Sequence, residues 1–179
     1  MRLFIAIELD NAMRRELAAV AKALRERSCG GRFVPEENLH VTMHFIGESN
    51  DLAGAVEAMR QSCSGIRPFE LRLGSYGFFE KNGSGGKTSF VSVEGDLNEL
   101  GILHETLESA LADRGFSRDM KRFRPHITLG RSVEHDELVT SELKAIPLSA
   151  AMTVTGLTLF ESTRVRGGMV YTPLHRERF

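Results

Sequence analysis

The chain is poor in cysteine, in long apolar stretches and in net charge. Cys29 and Cys63 are the only cysteines among 179 residues, which excludes a disulfide framework and favours a reducing compartment. The apolar run at the N-terminus stops at Glu8, too early for a signal peptide, and no other run approaches a membrane span. A net charge of −1 excludes a bulk polycation for duplex nucleic acid. These absences predict a soluble cytoplasmic protein that makes no membrane contact.

Strands and helices alternate along the predicted chain. Apolar runs and alternation predict strands, and apolar residues at helical spacing predict helices. No Pro/Ser-rich linker interrupts the sequence, so residues 1–179 are expected to form a single two-lobed domain. The predicted strands are 3–9, 39–46, 69–73, 88–94, 126–130, 151–162 and 169–174, and the predicted helices are 11–27, 51–63, 97–114 and 136–145.

One pattern occurs twice, once before residue 65 and again between Thr88 and Arg131. In each copy a strand and an amphipathic helix lead to a proline-containing approach and then to a strand with a His-x-Thr triplet. The repeat predicts an α+β fold of two pseudo-symmetric lobes. Each lobe is expected to be an antiparallel sheet with helices packed outside, and the two triplets are expected to face a central groove.

The triplets are His40-Val41-Thr42 and His126-Ile127-Thr128. Side chains i and i+2 of a strand point to the same face, about 6–7 Å apart, so each triplet presents an imidazole beside a hydroxyl. Imidazoles titrate near neutral pH, so one can accept a proton while the other donates one, and hydroxyls can bind phosphate oxygens. Two such strands facing one pocket predict acid–base chemistry on a phosphate without a metal.

The segments 40–47 and 124–131 resemble the paired motifs of the two-histidine (2H) phosphoesterases, and most closely the RNA 2′,3′-cyclic phosphodiesterase branch, also called 2′-5′ RNA ligase. Segments 2–7, 32–39 and 68–71 are also similar to that branch. The resemblance implies hydrolysis of an RNA terminal 2′,3′-cyclic phosphate to a 2′-phosphate, with no metal or other cofactor. It assigns His40 as proton donor to the 3′ oxygen, His126 as proton acceptor from water, and Thr42 and Thr128 as phosphate-binding residues. A weak, reversible 2′-5′ ligation and a monomeric state are further expectations.

Four other residues are candidate substrate contacts. His44 stands where the family pattern has arginine or lysine; on an ideal strand it shares the face of His40, as a third contact or as a polar residue at the rim. Phe45 can stack a base, although alternation favours a place in the core. Arg124 ends a basic run, 121–124, that suits an RNA tail. Arg131 reaches the site only if its strand twists or bulges.

Two other motifs are set aside. The segment Gly86-Lys87-Thr88 ends like a phosphate-binding loop, but Lys81 occupies the place of the required earlier glycine and a strand comes after it. His40 and His44 have the spacing of a helical metal pair, but their segment favours a strand. Two alternative functions stay open: the same chemistry on small cyclic nucleotides or 2′-5′ oligoadenylates, and a non-catalytic module that binds RNA ends.

Overall fold

Two antiparallel sheets and four α-helices build the computed structural model, which describes residues 1–80, 83 and 86–179. A single turn of 3-10 helix at Glu36–Asn38 precedes the first His-x-Thr strand. The glycine-rich segment 81–87, whose sequence predicts a turn, lies for the most part outside the described residues. The elements are β1 (Arg2–Glu8), α1 (Asn11–Arg27), β2 (Arg32–Phe33), β3 (His40–Glu48), α2 (Leu52–Cys63), β4 (Phe69–Glu80), β5 (Lys87–Gly95), α3 (Leu97–Ala112), β6 (His126–Val133), α4 (Glu137–Lys144), β7 (Ala151–Val154), β8 (Gly156–Val165) and β9 (Gly168–Arg178).

Each His-x-Thr strand lies in its own sheet. The first sheet has the order β3-β1-β8-β9 and the second the order β2-β6-β5-β4-β7. All strand pairs in both sheets are antiparallel. Strands β3 and β6, which carry the two triplets, contact each other across the two sheets. The predicted α+β architecture of two antiparallel lobes is therefore confirmed.

The helices are exchanged between the two halves. Helix α1 follows β1 in sequence but packs on β6 and β7 of the second sheet, beside α4. Helix α3 follows β5 but contacts β3 of the first sheet, beside α2. The carboxylate of Glu16 on α1 accepts the backbone N–H groups of Ser149 and Ala150, both at 2.9 Å, just before β7. One continuous apolar core therefore runs through both sheets.

The helices form where the sequence places caps and apolar stripes. Asp10 accepts the N–H of Met13 at 2.9 Å at the start of α1, and Asp51 and Asp136 cap α2 and α4 in the same way. The face of α1 predicted to be apolar is the buried one. None of the helices in the described part of the chain is long and apolar enough to cross a bilayer.

The single strand predicted over 151–162 is wrong. The chain leaves the second sheet after β7 and enters the first sheet with β8. At the start of β8, Gly156 permits close pairing with β9, because a Cβ atom there would lie 2.1 Å from the carbonyl oxygen of Glu177. Periodicity alone does not reveal the change of sheet, since the apolar alternation continues through the crossing.

Candidate active site

The first triplet faces a cavity of about 980 Å³. His40 and Thr42 line it, and the imidazole Nε2 lies 2.9 Å from the Thr42 hydroxyl. The rings of Phe4 and Tyr171 pack against the His40 ring, with centroids 5.0 and 5.5 Å away. The side chain of His40 is therefore held by aromatic contacts while Nε2 points towards the hydroxyl that shares its strand face.

The second triplet lies on β6, against the strand that carries the first. His126 packs against Phe79 and Phe90, with ring centroids 5.3 and 5.2 Å away. His126 and Thr128 do not themselves line the 980 Å³ cavity, which receives Arg131 from the same strand. The contact between β3 and β6 places the two histidines close enough for the charge of His126 to act on His40.

Both histidines are held by the same backbone contact. The Nδ1–H of His40 donates to the carbonyl oxygen of Asn38 at 2.7 Å, and that of His126 donates to the carbonyl of Arg124 at 2.6 Å. In each case the acceptor lies two residues earlier in the chain. A bond of this kind fixes the ring orientation and leaves Nε2 as the nitrogen that exchanges a proton. The two imidazoles are thus fixed by the same local contact.

Burial lowers the pKa of His40 below its ordinary value of 6.5, and the positive charges of Arg131 and His126 lower it further. Burial also lowers the pKa of His126, and Arg131 adds to that effect. In both cases the bond from Nδ1–H to the backbone carbonyl opposes the shift, because it stabilises the protonated ring. Arg131 is therefore electrostatically coupled to both histidines.

A β-bulge in β3 moves two of the predicted contacts. Ala6 pairs with Thr42 but Ile5 pairs with His44, so Met43 is an extra residue on β3. The prediction that His44 shares the face of His40 is wrong: His44 is 4% exposed and its Nδ1–H donates to the carboxylate of Glu108. The expectation from alternation that Phe45 packs in the core is also wrong.

Phe45 instead lines the cavity beside His40 and Thr42, and its side chain is 50% exposed. The guanidinium carbon of Arg2 lies 5.1 Å from the centre of its ring. A candidate base-stacking surface is therefore present at the mouth of the cavity, held by a cation–π contact.

A second bulge brings Arg131 to the cavity. Phe90 pairs with Thr128 while Ser89 pairs with Gly130, so Leu129 is the extra residue on β6. This shift places Arg131 on the face of His126 and Thr128. The sequence predicts that Arg131 reaches the site only if its strand twists or bulges, and the strand does bulge. Arg124 is exposed and its backbone carbonyl binds His126, but its side chain does not line the cavity.

The cavity is strongly basic. Among the described residues its lining has four arginines and no carboxylate. Sequence reasoning missed three of these arginines as site residues: Arg2 and Arg164 come from segments far from the triplets, and Arg32 lies in the approach to the first triplet, outside the motif itself. Arg2 and Phe4 are two residues apart on β1, so strand alternation places them on the same face and could have indicated Arg2. Arg164 comes from the β8–β9 hairpin, and only the fold shows that this hairpin reaches the cavity. The arginines are Arg2, Arg32, Arg131 and Arg164.

No group of three or more histidine, cysteine, aspartate or glutamate side chains in the described ranges is arranged to hold a metal ion. The arrangement offers instead two imidazoles, two hydroxyls and a ring of guanidinium groups. These groups can bind an anion and transfer protons at its edge.

The family model of the 2′-5′ RNA ligase superfamily matches residues 13–166. A protein named RNA 2′,3′-cyclic phosphodiesterase from Escherichia coli is 32% identical over 177 residues, which cover 98% of this chain and 94% of that protein. A protein of the same name from Thermotoga maritima is 28% identical and covers 100% of this chain and 96% of its own length.

Solved structures agree with these matches. The Thermus thermophilus protein TT0787 has a TM-score of 0.81 at 27% identity, covering 99% of this chain and 97% of that one. The E. coli LigT complex with 3′-AMP has a TM-score of 0.75 at 30% identity, with the same coverage. The family match spans most of the sequence, and the neighbours share the fold over nearly the whole chain. This chain therefore belongs to the 2′-5′ RNA ligase superfamily.

Proposed function

We propose that this protein hydrolyses RNA terminal 2′,3′-cyclic phosphates to 2′-phosphomonoesters by acid–base catalysis at His40 and His126. The observation that carries the proposal is the matched preparation of the two rings, each with Nδ1–H on a backbone carbonyl two residues earlier. The names of the relatives support the substrate, since they are called RNA 2′,3′-cyclic phosphodiesterases.

His126 acts as the base in this proposal. Its neutral Nε2 takes a proton from a water molecule, whose oxygen then forms a bond to phosphorus. His40 acts as the acid, and its protonated Nε2 donates a proton to the 3′ oxygen as the P–O3′ bond breaks. The product carries a phosphate on the 2′ oxygen. The two rings end with their protonation states exchanged, and solvent restores them.

The phosphate is held by hydroxyl and guanidinium groups. Thr42 and Thr128 donate hydrogen bonds to the non-bridging oxygens, where charge accumulates in the transition state. Arg131 neutralises part of that charge, and its own charge keeps the pKa of both histidines low until the anion binds. The anionic phosphate then favours the protonated form that the acid requires.

The same groups permit a weak 2′-5′ ligation. If the 5′-hydroxyl of a second RNA replaces water, His126 removes its proton and its oxygen forms a bond to phosphorus, while the P–O3′ bond breaks and His40 protonates the 3′ oxygen. The cavity contains no carboxylate among its described lining, so two polyanionic strands meet no fixed negative charge there.

The direct test is product analysis on a short RNA with a 2′,3′-cyclic phosphate end. The expected product is the 2′-phosphate alone, formed equally well in EDTA. A 3′-phosphate product would contradict the assignment of His40 as acid to the 3′ oxygen. Complete loss of activity in EDTA would point to metal chemistry, and tight binding of the end without turnover would favour a binding module. Comparison with nucleoside 2′,3′-cyclic phosphates and 2′-5′ oligoadenylates identifies the preferred substrate.

A further inference from the structure

A buried carboxylate on α3 contacts the first triplet strand and the segment that leads to the second, without lining the cavity. Glu108 is 2% exposed, and its oxygen Oε1 accepts the Nδ1–H of His44, which comes directly after the bulge in β3. Its other oxygen, Oε2, accepts the backbone N–H of Asp119 at 3.0 Å. Asp119 belongs to the segment that leads to the second triplet. One side chain therefore binds the neighbourhood of Thr42 and the approach to His126.

A second contact from α3 holds the same approach segment. His104 Nε2 lies 3.6 Å from Oε1 of Glu108, and the His104 ring stacks on Phe123 with centroids 3.8 Å apart and planes 4° apart. Phe123 lies three residues before His126. The carboxylate, the two histidines and the phenylalanine thus form a chain of contacts from one triplet strand to the other.

The approach segment, residues 116–125, has no helix or strand of its own. Its course is therefore set by tertiary contacts such as those with Glu108 and His104. Its last carbonyl acceptor is that of Arg124, which fixes the ring of His126. A shift of this segment would move the acceptor away from the imidazole.

We propose that Glu108 is a positioning residue that holds the two triplets in their working relation, through His44 on one side and Asp119 on the other. The proposal rests on the function given above and deepens it. Even an ionised buried pair adds little stability over a well-packed apolar pair, because desolvation offsets the attraction. Leucines at both positions could fill the same space, but they could not hold the N–H of Asp119. The polar network thus serves the geometry of the site.

The test compares three variants by steady-state kinetics on cyclic-ended RNA. The double variant His44→Leu/Glu108→Leu should keep a near wild-type melting temperature and lose about 10- to 100-fold in kcat, with KM little changed. Glu108→Gln keeps an amide oxygen for Asp119 and should lose less than the double variant. The matched control is Glu99→Gln, an exposed glutamate on the same helix, which should behave as wild type.

A second measurement reports on position independently of turnover. The bond to the Arg124 carbonyl raises the pKa of His126, so its loss should lower that pKa in an NMR titration of the His126 ring. The double variant should show this fall and Glu99→Gln should not. If the double variant does not fold, Glu108→Gln is judged by the same two measurements.

A folded variant with wild-type kcat and an unchanged His126 titration would overturn the positioning role and leave a structural pair only. A wild-type protein that fails to open the cyclic phosphate would overturn the proposed function. In that case the His126 titration still decides whether Glu108 positions the ring.

Discussion

The two triplet strands share a backbone design but differ in the side chains that lie beyond the threonine. In both β3 and β6 the residue immediately after the threonine is an extra, bulged residue, Met43 in one strand and Leu129 in the other. In both, the histidine Nδ1–H donates to a carbonyl two residues earlier. The bulge turns the residue three places after each threonine back to the active face.

The side chains that follow the two bulges differ between β3 and β6. After the bulge the first strand presents Phe45 and the second presents Arg131. Directly after the bulged residue the first strand buries His44 against Glu108, whereas the second has Gly130, where a Cβ would lie 2.8 Å from Cγ2 of Val133. One backbone device therefore delivers an aromatic ring on one side and a guanidinium on the other. The comparison predicts that both threonines hold the phosphate, and that beyond them Phe45 contacts the base while Arg131 adds a charge to the phosphate site.

Replacement of either triplet histidine should have the largest effect on kcat, and the two replacements should change different limbs of the pH–rate profile. His40→Ala and His126→Ala should each lower kcat by at least about 10²-fold, because each removes one proton-transfer group. His126→Ala should abolish the acidic limb of the pH–rate profile, and His40→Ala the alkaline limb. His175→Ala, on β9, is the control and should keep wild-type activity. Full activity in either triplet variant, or loss of the same limb in both, would refute the assigned pairing.

Removal of the two threonine hydroxyls should have the second-largest effect. Thr42→Val and Thr128→Val keep the shape of the side chain but remove a hydrogen bond to a charged oxygen, a loss of about 1.5–3 kcal/mol or roughly 10- to 150-fold in kcat/KM. Thr106→Val on α3 serves as control, and circular dichroism checks the fold. If one threonine variant retains wild-type kcat/KM, the phosphate is held by one strand and the symmetry of the site breaks down.

Replacement of the aromatic residue should have a smaller effect. Phe45→Ala removes a stacking surface that is half exposed, so about 1 kcal/mol is expected, or roughly fivefold in KM with kcat preserved. The measurement is KM for cyclic-ended RNA, with Ile102→Ala on α3 as a control for loss of an exposed apolar side chain. A lowered kcat at unchanged KM would place Phe45 in orientation of the catalytic groups and not in base binding.

The smallest effect is on pH dependence. His126 must be neutral, so activity rises as pH rises through its pKa, and His40 must be protonated, so activity falls as pH rises through its pKa. Both pKa values lie below 6.5, so the optimum of kcat/KM should lie on the acidic side of that value. Arg131→Gln removes a charge that lowers both pKa values and should move both limbs to higher pH. Limbs that stay in place would show that Arg131 acts only by binding substrate.

The sequence was sufficient for the parts of the fold that local rules determine. The helices, their aspartate caps and the duplicated triplets follow from periodicity and short motifs. Alternation failed at His44 and Phe45 because a bulge depends on pairing with β1, which the segment itself does not encode. The sequence could predict that Arg131 reaches the site only if its strand twists or bulges, and the bulge in β6 depends on pairing with β5.

Long-range contacts explain what the sequence could not supply. The leucine stripe of α3 explains which face of that helix is buried. Nothing in the sequence around Glu108 indicates that it binds His44, which lies 64 residues away. The arginines at the cavity come from separate segments for the same reason. Residues that share a site through tertiary structure have no common spacing in the chain.

The exchange of α1 and α3 gives the protein the organisation of a domain-swapped dimer contained in one chain. A polypeptide cut between α2 and β4 would separate β1 and β3 from β8 and β9 of the first sheet, and would separate β2 and α1 from the second sheet. The separated pieces would therefore expose apolar surface and should associate with one another in solution. The site forms only when both fragments associate. Coexpressed fragments should therefore recover activity that neither fragment has alone.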